Sequence, residues 1–206
     1  MTYTLYSHDG SGGFAAEAAL IKAGADFKTI VIDTTKGDQN RADFAAINPM
    51  KQVPTLILPD GTIMTESAAI VVHLANAFPG KGLAPAPGSS GHARFLRWMF
   101  FMAANIYEGD LRYYYPDRYI TDPTGIEGVK AAGAAHMTKS FAVVEQALEQ
   151  GPFLCGKEMN MADVYLAMVA AWSPEPLTGK KILALRAAVA EDKTFGPLWR
   201  RHGFER

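Results

Sequence analysis

A chain of 206 residues, 49% hydrophobic and 20% charged, has room for one large or two small packed domains and an ordinary globular composition. Twenty basic against 21 acidic residues leave a net charge of -1, with no basic stripe for nucleic acid and no acidic solvating tail. No apolar run approaches the roughly eighteen residues needed to span a bilayer, the N-terminus lacks a signal-peptide pattern, and the single Cys155 excludes an internal disulfide, so the expected location is cytoplasmic.

Tyr3 to Tyr6 predicts a short strand that ends in the polar, glycine-rich loop Ser7-His8-Asp9-Gly10-Ser11-Gly12-Gly13. A helix is expected from Phe14 to Ala23, stopped by Gly24, and a second strand over Asp26 to Asp33. That order is a βαβ unit with a parallel strand pair. After a polar segment with a helix over Arg41 to Ala46, the stretch from Asn48 to Asn76 reads as loop, strand, turn, strand and helix. Thr55 to Leu58 and Thr62 to Met64 are the strands, and Asp60-Gly61 is the expected two-residue hairpin turn. A Pro opening a strand suits an N–H position facing out of the ladder. A cis Val53–Pro54 bond would turn the Val53 backbone outward, where its N–H and C=O can pair with a ligand. Thr65-Glu66-Ser67 heads a helix with Ile70, Val71 and Leu74 on its apolar face.

The Pro-, Gly- and Ser-rich stretch 78–91 is the clearest linker, and beyond it the pattern is all-helical. Helices are expected from Ala93 to about Tyr115, from Ile126 to Glu149, over the apolar run Val164 to Trp172, from Lys181 to Ala190 and from Pro197 to Arg201. Asn160 and Asp163 form a capping-box pattern ahead of the third of these, read as structural. The expected division is therefore residues 1–77, a linker over 78–91 and a helical domain over 92–206. Cys155, in an apolar turn, is read as buried and inert.

Gln52-Val53-Pro54, Asp60-Gly61 and Thr65-Glu66-Ser67-Ala68-Ala69-Ile70 closely resemble the glutathione-binding half of the glutathione S-transferase family, in its bacterial form. The resemblance covers the whole chain in plan, with its specific residues mostly in positions 1–76. It implies a thioredoxin-like βαβαββα N-terminal domain followed by a helical-bundle C-terminal domain. It further implies glutathione as co-substrate, a hydrophobic electrophile, a homodimer and a detoxifying role in the cytoplasm, without a metal, nucleic acid or membrane. In the family the residue before the cis proline, here Val53, pairs with the cysteinyl backbone of glutathione. The acidic-plus-Ser pair, here Glu66 and Ser67, takes the γ-glutamyl end. The residue chemistry agrees: a helix N-terminus with Ser67 suits a carboxylate, and Glu66 suits an ammonium. A plain helix-capping role for the same pair is the alternative.

A conjugating enzyme must stabilise the glutathione thiolate, since a free thiol has a pKa of about 8.5. The family places the hydroxyl or thiol donor in the loop after the first strand, where this chain has no Cys. Ser11, at the start of the first helix, is the leading candidate, with Ser7 and Tyr6 as alternatives. The run Ser11-Gly12-Gly13 departs from the family's commoner pattern, so the Gly12 and Gly13 amides also stand as candidate sulfur ligands. An electrophile pocket is expected between the domains, walled by Trp98, Met102, Tyr107, Tyr113 and Tyr114, with the Tyr107 phenol donating to substrate or sulfur. Two further readings share the pattern: glutathione-dependent ether cleavage or dehalogenation, and a non-catalytic glutathione-binding or interaction module with the same fold.

Overall fold

The computed structural model describes residues 2–205. It divides into two compact units, one running up to Pro87 together with the chain from Ala190 onward, the other spanning Gly88–Val189.

The first unit is built on a four-stranded sheet of order β2-β1-β3-β4. Strand β1 (Tyr3–Ser7) alternates buried and half-buried residues, as a strand with two unequal faces must. It pairs in parallel with β2 (Phe27–Val31) through helix α1 (Gly13–Ala23), and antiparallel with β3 (Thr55–Ile57), which pairs with β4 (Ile63–Met64). Helices α2 (Ala42–Ile47) and α3 (Ser67–Ala77) complete a βαβαββα, thioredoxin-like order. The core is Leu5, Phe14, Leu20, Leu56, Ile70, Val71 and Leu74, all fully buried, with α1 and α3 packed together.

The hairpin differs from the two-residue expectation. The Leu58 amide donates to Thr62 at 2.8 Å and the Gly61 amide to Leu58 at 2.9 Å, which encloses three loop residues, Pro59, Asp60 and Gly61. Gly61, at φ 90°, supplies the left-handed residue that a three-residue turn requires in its last position.

The last segment also departs from expectation. The chain from 190 onward packs with the first unit, because Phe195, Leu198, Trp199 and Phe204 bury their side chains there. The Phe14 ring meets Trp199 and Phe204 edge-on at 5.6 and 5.2 Å.

The second unit holds α4 (Ser90–Phe101), α5 (Glu108–Tyr114), α6 (Ile126–Ala147), α7 (Met161–Ala171) and most of α8 (Lys180–Glu191). The helix expected to run unbroken from Ala93 to Tyr115 is interrupted by a π-helical turn over Met102–Tyr107. Asn105 Nδ2 donates to the Phe101 carbonyl at 2.9 Å, so a side chain competes for the acceptor its own amide would take in an α-helix. Helix α7 is buried from Met161 to Ala170, as a helix apolar on every face must be. Its capping box forms as the sequence indicates: the Asn160 side chain accepts from Ala162, and Asp163 accepts the Asn160 amide at 2.9 Å and the Leu154 amide at 2.8 Å. Cys155 is half-buried rather than buried, and burial, aided by the nearby Asp163, pushes its thiol up to about 11. No described helix is long and apolar enough to cross a membrane.

Candidate functional site

The loop that joins β3 to the preceding helix is organised by Asn48, a buried side chain the sequence reading did not single out. Asn48 Nδ2 donates to the Gln52 carbonyl at 2.9 Å and to Thr55 Oγ1 at 3.0 Å, while its Oδ1 accepts the Met50 amide at 3.0 Å. One amide therefore fixes both sides of a tight turn. Gln52 stands exposed, Val53 is half-buried, and the Val53–Pro54 bond is cis. The Val53 N–H and C=O pair with nothing among the described residues.

At the start of α3, Glu66 sits at φ 62°, ψ 103° and its side chain makes no capping hydrogen bond. A non-glycine residue at positive φ is strained, and such strain concentrates where a structure holds a residue for a ligand. The plain capping role is thus not what Glu66 does. Ser67 is buried as the first residue of α3, and the Ala68 and Ala69 amides behind it have no acceptor among the described residues. Two unclaimed amides at a helix N-terminus form a seat for a carboxylate. Glu66, exposed beside them, offers the complementary negative charge.

The loop after β1 sets the donors. Ser11 Oγ donates to the His8 carbonyl at 2.5 Å and accepts the Gly13 amide at 3.1 Å, so its proton and the Gly13 N–H are both spent within the loop. Ser7 differs: only 3% exposed, its Oγ has no hydrogen-bond partner among the described residues. The Gly12 amide, at the N-cap of α1, likewise has no acceptor among the described residues. Ser7 Oγ lies against Gly13, where a Cβ would collide with it, so glycine at 13 is what admits the hydroxyl to the helix N-terminus. Tyr6 packs its ring against Phe44 at 5.6 Å. Ser7 also lines a surface hollow with His8, Asp9, Thr29, Val31 and Asp33. Among the described residues, no His, Cys, Asp or Glu side chains group as metal ligands would.

In the helical unit, the five expected wall residues separate into two kinds. Trp98 and Met102 are closed into the core, with the Trp98 ring under Arg97 at 4.3 Å and edge-on to Phe101. Tyr107 and Tyr113 are half-buried and Tyr114 is 51% exposed. The Tyr107 ring meets Trp172 edge-on at 5.2 Å, and the Tyr114 hydroxyl donates to the Trp172 carbonyl at 2.8 Å. Trp172, unnoticed in the sequence, therefore ties the two tyrosines to the end of α7.

The profile described as "Glutathione S-transferase, N-terminal domain" matches residues 1–76. Glutathione S-transferase GstA of Escherichia coli O157:H7 is 30% identical over 170 residues, which cover 82% of this chain and 81% of that protein. A glutathione transferase from Methylococcus capsulatus superposes with a TM-score of 0.85 at 29% identity, covering 98% of each chain. A sphingomonad glutathione S-transferase complexed with glutathione superposes with a TM-score of 0.82 at 26% identity, covering 97% of this chain and 98% of that one. The chain belongs to the glutathione S-transferase family.

Proposed function

We propose that this protein is a glutathione transferase that binds glutathione on its thioredoxin-like unit and activates the thiol for attack on a hydrophobic electrophile. The observation that carries the reading is the start of α3, where a strained, non-capping Glu66 stands beside unclaimed Ala68 and Ala69 amides. A γ-glutamyl group bears one carboxylate and one ammonium, and this seat presents a partner for each. The unpaired Val53 backbone fits the peptide part of the same ligand, with Gln52 and Pro54 bounding it. The sphingomonad relative, which binds glutathione, lends support.

For activation, Ser7 Oγ and the Gly12 amide are the unspent donors at the N-terminus of α1, with Ser11 and the Gly13 amide shaping the loop around them. Charge-assisted hydrogen bonds and the helix dipole both favour a thiolate there. The thiol proton leaves to solvent and the sulfur pair forms a C–S bond, while the electrophile expels its leaving group, breaks its epoxide C–O bond to an alkoxide, or moves its enone π pair to an enolate, the last two taking a proton from solvent. Tyr107, Tyr113 and Tyr114 offer aromatic surface for the electrophile, and the Tyr107 phenol can donate to the developing anion. A homodimer and a cytoplasmic detoxifying role are the assembly and setting this reading carries with it.

The binding half is tested by calorimetry. Glu66→Ala and Ser67→Ala are each expected to weaken glutathione by about tenfold or more, the worth of one charge-assisted contact. Unchanged affinity in both would remove the assigned seat.

A further inference from the structure

The loop Ser7–Gly13 is held from the far end of the chain. His202 follows α9 (Gly196–Arg201), and its side chain is entirely buried. Its ring lies edge-on to Phe14 at 5.2 Å and tilted against Phe204 at 5.7 Å, so packing leaves it little freedom to turn. Nδ1 accepts the Gly10 amide at 3.0 Å, across 192 residues of sequence. A nitrogen that accepts carries no proton, so the neutral imidazole holds its proton on Nε2. Nε2 has Asp9 Oδ1 at 3.3 Å and Glu17 Oε2 at 3.6 Å as acceptors for that proton, with Arg201 Nη2 beside them at 3.3 Å. Arg201 joins the group, bonding Glu17 closely and Asp9 Oδ1 at 3.3 Å.

The consequence falls on the loop. His8 to Ser11 is a turn closed by the Ser11 amide on the His8 carbonyl at 3.3 Å, and Gly10 occupies it at φ 79°. Ser7 Oγ and the Gly12 amide stand on either side of that turn. Whatever orients the turn orients both donors. His202 and Arg201 grip Asp9 and Gly10 within it, while Glu17 anchors the same cluster to α1.

We propose that His202 is a positioning residue: by accepting the Gly10 amide it sets the shape of the loop that presents Ser7 Oγ and the Gly12 amide to the glutathione sulfur. The proposal rests on the reading of this loop as the thiol site. His202 touches no substrate in this account, so its substitution alters the sulfur's environment and leaves the γ-glutamyl seat on α3 intact.

Two variants separate this role from simple packing. His202→Phe keeps a ring among Phe14 and Phe204 and removes the acceptor, whereas His202→Asn keeps an oxygen near the place of Nδ1 and gives up the ring. Amide hydrogen exchange at Gly10 is followed in the full chain without ligand, and the thiol pKa of bound glutathione and its affinity are measured beside it. His202→Phe is expected to speed Gly10 exchange by about tenfold or more and to raise the bound thiol pKa, with glutathione affinity within about threefold of wild type. His202→Asn is expected to restore most of both. Gly10 exchange unchanged in His202→Phe would overturn the positioning role, as would equal thiol shifts in the two variants. A wild-type thiol pKa that glutathione binding leaves unshifted, with Gly10 protection still lost in His202→Phe, would instead strike the reading of the loop.

Discussion

Individual side chains carry most of what is new in this site, and they do so through what they leave unpaired. Ser7 and Ser11 are four residues apart in one loop, yet one hydroxyl is spent and the other is not. The sequence favours Ser11 for its place at the start of the first helix; the folded loop reverses that order, because Ser11 Oγ meets the His8 carbonyl and Ser7 Oγ meets none. Asp110 in the first turn of α5 is a second unpaired group, 4% exposed with neither carboxyl oxygen bonded among the described residues, and burial pushes its pKa up to about 8. Its folded pKa lies above the unfolded value of 3.8, so its contribution is fully present at pH below that value and is lost as pH rises through about 8. Thermal unfolding should therefore show Asp110→Asn close to wild type at about pH 3.5 and progressively more stable as pH rises to about 8, at about 1.4 kcal/mol or less per pH unit, so that the gap is several kcal/mol at about pH 9. A variant that tracks wild type across that range would show that the buried carboxylate finds a partner in solution.

At the scale of elements, the helix starts explain more than the helices do. Helix α7 begins with a capping box that was legible from Asn160 and Asp163, because the motif depends only on spacing. Asp163 is wholly buried and takes two amides, Asn160 and Leu154, so it also pins the Phe153–Gly156 turn. Asp163→Ala leaves both amides without an acceptor in the core and should cost about 2–4 kcal/mol in denaturant unfolding. A loss below roughly 0.5 kcal/mol would mean that water takes over both bonds. Helix α3 was equally visible, but its Glu66 looked the same as any capping residue until its φ of 62° was known. The π-turn at Met102–Tyr107 was invisible to periodicity, since it follows from one Asn105 side chain reaching the Phe101 carbonyl. The hairpin was placed correctly and its turn length was not: Asp60-Gly61 signals a reversal, while the Leu58–Thr62 pairing that fixes its size depends on strand register.

On the scale of the whole molecule, the order of strands and helices was readable because alternation, capping and glycine punctuation are local signals. The contact of His202 with Gly10 was not, as no local pattern announces a bond across 192 residues. The same holds for the C-terminal stretch, expected as a helix over Pro197 to Arg201 within the helical domain, whose Phe195, Leu198, Trp199 and Phe204 instead join the core around Phe14. Family membership rests on the match of residues 1–76 and on the similarity to GstA, and the activity rests on whether the loop at the start of α1 holds a thiolate. The most direct test is a pH titration of thiolate absorbance for bound glutathione in wild type, Ser7→Ala and Ser11→Ala. Wild type is expected to lower the thiol pKa from about 8.5 to roughly 6–7, with Ser7→Ala reversing much of that shift and Ser11→Ala reversing less. An unshifted thiol in wild type, or a shift that Ser11→Ala abolishes and Ser7→Ala leaves untouched, would contradict the account.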